Sequence, residues 1–303
     1  MSASRNSGMH ACNMRGAALI LVLWLLVLMT ALIGGFAQSA RIEALQAHQL
    51  RASLIARQAA HAGIDYAVLR MLYPDAQRRW VPDGRKYAFA LGDAKLEIHV
   101  LDESGKIDLN SASPDLLAKL LLALGVREPR AHGLAAAIVD FRDLDDLLQP
   151  GGAESRDYSS AGLPYGPKNL PFETVSELQR VIGMDFALYQ KIEPNVTVYA
   201  SGAPSPTFAP AAVLQALGLS ADNADVFKAQ RESWQPGAPR APPPLPDGQP
   251  FVVQPGTGTY DISSRAHLRD GTTLTVNAIV RASQTGPFGQ LYVPLQWREG
   301  ESN

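Results

Sequence analysis

Residues 14–41 read MRGAALILVLWLLVLMTALIGGFAQSAR, and this stretch decides the architecture of the chain. Between Arg15 and Arg41 lie 25 residues without a formal charge. At ~1.5 Å rise per residue, a helix of that length covers the ~30 Å hydrocarbon core of a bilayer. Trp24, Leu25, Leu26 and their neighbours put large apolar groups on every face. A helix apolar all round is buried in lipid or in protein, and a place behind a short basic head (Arg5, Arg15) points to lipid. The same basic head favours an N-terminus on the cytoplasmic side with the bulk of the chain outside. The run exceeds the ~7–15 apolar residues of a secretory signal, and no small-x-small pattern closes it before Gln38.

Downstream, residues 41–73 hold no proline and one glycine and stop at Pro74. They are rich in Ala, Leu, Gln and Arg, with Ile42, Leu45, Leu54, Ile55, Val68, Leu69 and Leu72 recurring at steps of roughly three and four. The expectation is one helix over residues 17–73, roughly 85 Å long. Residues 87–91 (YAFAL), a Gly92-Asp93 turn and residues 95–101 (KLEIHVL) read as a hairpin, with Leu96, Ile98 and Val100 alternating against Lys95, Glu97 and His99. A long helix laid across antiparallel strands is an α+β plan.

At Asp102 the alternation stops, and helical units take over. Ser113 is a good N-cap with Pro114 in the first helical position and Gly125 as a stop. A second unit starts at Pro210 and breaks at Gly218, and a third spans residues 171–192 with Thr174 or Ser176 as cap and Gly183 near its end. Residues 234–250 (WQPGAPRAPPPLPDGQP) form a proline-rich, semi-rigid connector. Three strand-like runs follow, 260–268, 272–282 and 290–297, with turn signals at Asp270-Gly271 and Gly286-Pro287. These runs most simply rejoin the first hairpin, so the helical region is an insert in one sheet.

The global properties exclude several classes. A net charge of −2 carries no electrostatic mark of a nucleic-acid binder. Cys12 is the one cysteine, so there is no disulfide and no thiol chemistry downstream of it. The six histidines (His10, His48, His61, His99, His132, His267) lack metal-ligand spacing. No phosphate loop, nucleophile elbow or pair of catalytic acids is visible, and the expectation is that the chain is not an enzyme. Six carboxylates, Asp140, Asp143, Asp145, Asp146, Glu154 and Asp157, fall within 18 residues around Pro150-Gly151-Gly152. Hard oxygen ligands in a flexible loop suit calcium, while a solvated acidic loop accounts for the same residues.

The helical units, with N-x-A-S ahead of a leucine run, resemble helix-hairpin-helix DNA-binding modules, which offer Gly-x-Gly amides to phosphates. Here the turns are Leu124-Gly125-Val126 and Ile182-Gly183-Met184, with one glycine each and few basic neighbours. A closer resemblance runs in order through KIDLNSASPDLL (106–117), IVDFRDLDD (138–146), GAESRDY (152–158), GLPYGPKNLPFETVSEL (162–178) and NVTVY (195–199). That series is similar to the K family of minor pseudopilins of type II secretion systems, in which a helical domain is inserted into a pilin-like head.

The resemblance implies a set of expectations. Gly16 ahead of the apolar run looks like the cleavage site of pilin-type precursors, cut by a prepilin peptidase to leave Ala17 as an N-methylated terminus; Met9 and Met14 are alternative starts. Leu21, the fifth mature position, stands where most pilins carry glutamate, as is typical of a tip subunit of the K type. The organisation expected is a leader (1–16), a transmembrane segment (17–40), a periplasmic helix with the first strands (41–101), an all-α insert (102–235), a proline-rich linker (236–257) and the remaining strands (258–299). The implied role is a tip subunit of the periplasmic pseudopilus, anchored once in the inner membrane and acting in pseudopilus assembly or capping and in protein secretion. Implied partners are minor pseudopilins of the I and J types, the major pseudopilin, the prepilin peptidase, and the secretin or secreted proteins, with no nucleic acid. The family also implies calcium, with the six carboxylates above as candidate ligands. The alternatives are a minor pilin of a type IV pilus and a membrane-anchored helix-hairpin-helix DNA-binding protein.

Overall fold

The structure is a computed structural model that describes residues 15–238, 241–245, 248, 257–283 and 291–300. The leader up to Met14, much of the proline-rich linker and the Gly286-Pro287 turn lie outside the described residues. The chain divides into two units, residues 1–54 and 55–303.

The first unit is helical throughout its described part. Its helix, α1, spans Arg15–Met71, 57 residues, and runs on into the second unit. The expected helix is therefore present, with its end two residues earlier than predicted. In residues 18–36 the side chains are exposed, Trp24 and Phe36 more than 70% so.

In the second unit the end of α1 packs on a five-stranded antiparallel sheet. Ala56, Ala60, Ile64, Ala67 and Met71 are buried at steps of three and four, which places them on one helical face. The sheet contains β1 (Asp83–Leu91), β2 (Ala94–Asp102), β5 (Thr259–His267), β6 (Thr273–Ala282) and β7 (Tyr292–Gly300), in the order β1-β2-β5-β6-β7. The predicted alternation in β2 holds: Leu96, Ile98 and Val100 are buried against α1 and its neighbours. Small residues bring helix and sheet close together. A Cβ at Gly63 would lie 2.1 Å from Ser264 Oγ on β5.

The insert leaves and returns at the same place. β2 ends at Asp102, which pairs with Tyr260 at the start of β5. A long excursion between two hydrogen-bonded neighbours leaves the ladder unbroken, so the sheet keeps its own apolar cluster and the insert builds a second one.

The insert's helices are α2 (Pro114–Ala123), α3 (Glu128–Arg142), α4 (Ser155–Ser160), α5 (Phe186–Ile192), α6 (Ala211–Ala216) and α7 (Ala221–Ser233). The Ser113 cap forms as expected: its hydroxyl accepts from Leu116 N–H at 3.2 Å. Pro210 is the N-cap of α6, and Gly125, with φ +86°, closes α2. The third unit departs from the expectation. Only residues 186–192 are α-helix, while Val175–Arg180 is a 3₁₀ turn entered through a Thr174–Glu177 capping box.

Nor is the insert all-α. Short strands β3 (Ile107–Asp108) and β4 (Val196–Thr197) pair in parallel inside it. Their apolar positions are too few to show a period-two pattern in the sequence. The DLNSAS turn has a structural job here. Asp108 accepts from Asn110 N–H and Ser111 Oγ, while Asn110 donates to Phe172 O and accepts from Phe172 N–H, tying two distant loops together.

Two buried ionic knots seat the insert on the sheet. Asp83 on β1 holds Arg85 in a bidentate pair at 2.8 and 2.7 Å and faces Nε of Arg231 on α7 at 3.4 Å. Arg231 is fully buried and donates to the carbonyls of Thr207 and Ala209 at 3.0 and 3.1 Å. In the second knot Lys106 pairs with Glu103 at 2.7 Å and with Asp261 on β5 at 2.6 Å. Those two carboxylates hold the Lys106 ammonium well above its usual range, although burial alone would lower it.

Candidate functional site: apolar helix and acidic loop

Two features carry functional chemistry: the N-terminal helix and the acidic loop. In the helix, Gly16 and Ala17 lie in the first turn of α1, so the expected cleavage point falls at the start of the helix. From Ala18 the helix has a stretch of mean hydropathy 2.7 with none of it buried, and it is the one described helix long and apolar enough to cross a membrane. Leu21 is 70% exposed, and no acidic residue stands in the first turn.

The acidic loop joins α3 to α4. Asp140, at the end of α3, is fully buried and accepts from Gln149 N–H at 3.2 Å and Ala153 N–H at 2.8 Å. Glu154, the N-cap of α4, is buried too and faces the Asp157 N–H in a capping box, a contact too poorly aligned to satisfy its carboxylate oxygens fully. Asp143 Oδ1 and Asn169 Oδ1 are likewise buried without a donor. A Cβ at Gly152 would fall 2.0 Å from Asp140 Oδ2, so only glycine leaves room beside that carboxylate.

The six predicted residues do not form one set. Asp140, Asp143, Asp145, Asp146 and Glu154 are close enough to repel one another electrostatically. Asp145 turns back to accept from Leu147 N–H at 2.9 Å, and Asp157 accepts from Glu154 N–H at 2.9 Å in the cap of α4. Asn169 is the member that sequence reasoning missed. Its φ of +50° is one that asparagine tolerates, and its side chain donates to Asp146 Oδ1 at 3.0 Å. The local signal is the turn-prone Asn169-Leu170-Pro171.

Among the described residues no three Asp, Glu, His or Cys side chains are arranged to hold a metal ion as they stand. The donor chemistry nevertheless fits a hard cation. All the acceptors are oxygens, and the two of Glu154, with Oδ1 of Asp143 and of Asn169, are buried without a well-formed hydrogen bond.

Burial first, then the charges of Asp140, Asp143 and Asp146, push the Glu154 carboxyl up to about 7. Burial also raises Asp140 and Asp143. The folded chain thus binds the Glu154 proton more tightly than the unfolded chain does. That contribution is complete below the ordinary glutamate range and is lost as pH rises through about 7. Without divalent cations, Glu154→Gln is expected to stabilise the chain by about 1–2 kcal/mol near pH 8, allowing for screening at a shallow site, and to have no effect near pH 4. Thermal melts of both chains across pH check this; equal melting points near pH 8 would contradict it.

The α2–α3 hairpin has the outline of a DNA-binding hairpin without its phosphate cradle. Its turn has one glycine, and Arg130 beside it is committed to Asp185 at 2.7 Å.

The family model of type II secretion system protein K matches residues 94–201, the stretch from β2 through most of the insert. Type II secretion protein K of Klebsiella pneumoniae is 32% identical over 209 residues, covering 61% of this chain and 63% of that protein. Over this stretch the chain is similar to the type II secretion protein K family. The corresponding protein of Pectobacterium carotovorum is 29% identical over 205 residues, 60% of this chain and 62% of the relative. The matches thus cover a little under two thirds of the length of these relatives. A chain from the crystal structure of the GspK–GspI–GspJ complex of enterotoxigenic Escherichia coli superposes with a TM-score of 0.57 at 20% identity, covering 86% of this chain and all of that one. At that identity the superposition speaks for the fold alone. Neither the type IV pilin reading nor the DNA-binding reading finds support in these comparisons.

Proposed function

We propose that this chain is a minor pseudopilin of a type II secretion system, working at the tip of the periplasmic pseudopilus in its assembly or capping and so in protein secretion. The observation that carries the reading is the fully apolar helix of residues 18–36 continuing, without a break, into the helix that packs on an antiparallel sheet bearing a K-family insert. The chain is made as a precursor, cut between Gly16 and Ala17 by a prepilin peptidase and N-methylated at Ala17. It crosses the inner membrane once, with its N-terminus cytoplasmic and its bulk periplasmic. Leu21 supports a terminal position. A buried carboxylate in a membrane needs a partner, and a subunit without one at this place need not dock above another. The role is structural rather than catalytic. Partners are the I- and J-type minor pseudopilins, as in the complex of the structural relative, and below them the major pseudopilin; the secretin and the secreted proteins are contacts of the insert. Co-expression of tagged chain with I- and J-type pseudopilins tests the assembly. Recovery of a stoichiometric ternary complex is expected, and recovery of the tagged chain alone would contradict it.

Calcium belongs to the same reading. Asp140, Asp143 and Glu154, with Asn169 and Asp146 beside them, would hold it, and bound calcium would supply the positive charge that their buried oxygens lack. Millimolar Ca²⁺ is expected to raise the melting temperature by several degrees, as tight binding to the folded state alone requires, and Mg²⁺ by much less. Asp140→Asn with Glu154→Gln should remove the response; a melting point indifferent to Ca²⁺ would sink the assignment.

A further inference from the structure

The loop that turns its buried carboxylates inward turns its leucines outward. Leu144, Leu147 and Leu148 are 78%, 73% and 57% exposed, and Leu170 is 52% exposed. Leu170 is brought to the same surface by Asn169, whose amide donates to Asp146 and whose N–H donates to Phe141 O at 3.0 Å. None of the four belongs to either apolar cluster or packs against one. The leucines cannot simply fold under, because Asp140 pins Gln149 and Ala153 on one side and Asp145 pins Leu147. A concentration of exposed leucines held out in this way is the mark of an interaction surface.

The rim of the patch selects the occupant. Asp145 and Asp146 are exposed around the leucines. Two cations adjoining these segments in sequence are engaged elsewhere: Arg142 donates inward to Leu109 O and Ala112 O, and Lys168 pairs with Glu177 at 2.8 Å. An apolar centre with an anionic rim repels anionic lipid. It also repels its own image, since a two-fold contact between copies would set the same carboxylates against each other.

We propose that residues 144–148 with Leu170 form a docking surface for a cationic amphipathic helix of a partner protein. Its apolar side chains at steps of three and four would cover the leucines, and its flanking Lys or Arg would meet Asp145 and Asp146. The buried carboxylates beneath are not needed for this contact.

The test uses the full chain in phosphatidylcholine nanodiscs, with empty discs as the reference. The probe is a labelled peptide of about 18 residues with Leu on one helical face and Lys on the other; a second peptide carries Glu in place of Lys. Saturable binding of the Lys peptide is expected, weakened about tenfold or more by Leu144→Ser with Leu147→Ser, because truncating central apolar anchors dominates such contacts. Asp145→Asn should weaken binding about two-fold or more at low salt and flatten its salt dependence. Leu144, Leu147 and Asp145 are all exposed, so unchanged melting curves separate lost binding from lost folding. Equal affinity for the Glu peptide would overturn the proposal, as would binding that survives both the leucine substitutions and Asp145→Asn. Self-association of the chain abolished by the leucine substitutions would overturn it in favour of a second copy as occupant.

Discussion

Asp83→Ala is expected to destabilise the chain by about 3–5 kcal/mol, because it leaves buried cations with no carboxylate in contact. The carboxylate holds Arg85 through both oxygens and lies 3.4 Å from Arg231 Nε. Arg85 in turn donates to Arg231 O at 2.7 Å and to Trp234 O, so β1 is tied to the end of α7 through one acid. Burial pulls Arg231 below its ordinary pKa, which means that the site already disfavours the charge it holds. Without Asp83 the two guanidiniums keep carbonyl oxygens and the more distant charge of Glu232. A loss of that size lowers the melting temperature of a domain this large by roughly 10 °C. Adding Arg231→Met to Asp83→Ala should recover part of the loss, since an apolar side chain in that pocket carries no unpaired charge. Thermal or urea unfolding of the three chains checks both statements, and an Asp83→Ala chain within about 1 kcal/mol of the parent would contradict them.

The second large effect is steric. A Cβ at Gly105 would meet the backbone C and O of Phe208 at 2.6 Å and the Phe208 Cβ at 2.9 Å. Backbone yields less readily than the end of a side chain, and both sides here are fastened. Ser205 N–H donates to Ser104 O at 2.7 Å, and Ser104 N–H donates to Asp102 Oδ1 at 2.9 Å. Gly105→Ala must therefore part the first turn of the insert from residues 205–208, at a cost of about 3 kcal/mol. Gly125→Ala is the control. Gly125 has φ +86°, and a Cβ there would have no other atom within 4 Å, so its cost is the left-handed strain alone, about 1–2 kcal/mol. Indistinguishable melting curves for the two variants would show that the close approach at Gly105 does not limit stability.

What the sequence made legible followed from repeated patterns. An unbroken apolar run, helix formers up to Pro74, and alternation in β2 each rest on many residues pointing one way, so α1 and the sheet were readable. Ser113-Pro114 marked α2 because cap chemistry is local. β3 and β4 were invisible because two-residue strands carry no period. The insert's supposed third helix read as one piece because its apolar spacing survives the change from a 3₁₀ turn to α5. The acidic residues were found as a cluster in sequence, yet the chain separates them. Asp157 serves its own helix cap and Asp145 its own turn, while Asn169, 23 positions beyond Asp146, closes on the loop. The ionic knots lay beyond reach for the same reason. Asp83 stands ahead of the insert and Arg231 in its last helix, and they meet only because the insert returns to the sheet where it left it.

The most direct test of the central claim is the N-terminal mass of the chain co-expressed with a prepilin peptidase. A mature chain beginning at Ala17, lost on Gly16→Ala or without the peptidase, is the expected result. A chain left uncut, or cut beyond the apolar run, would contradict the pseudopilin pathway.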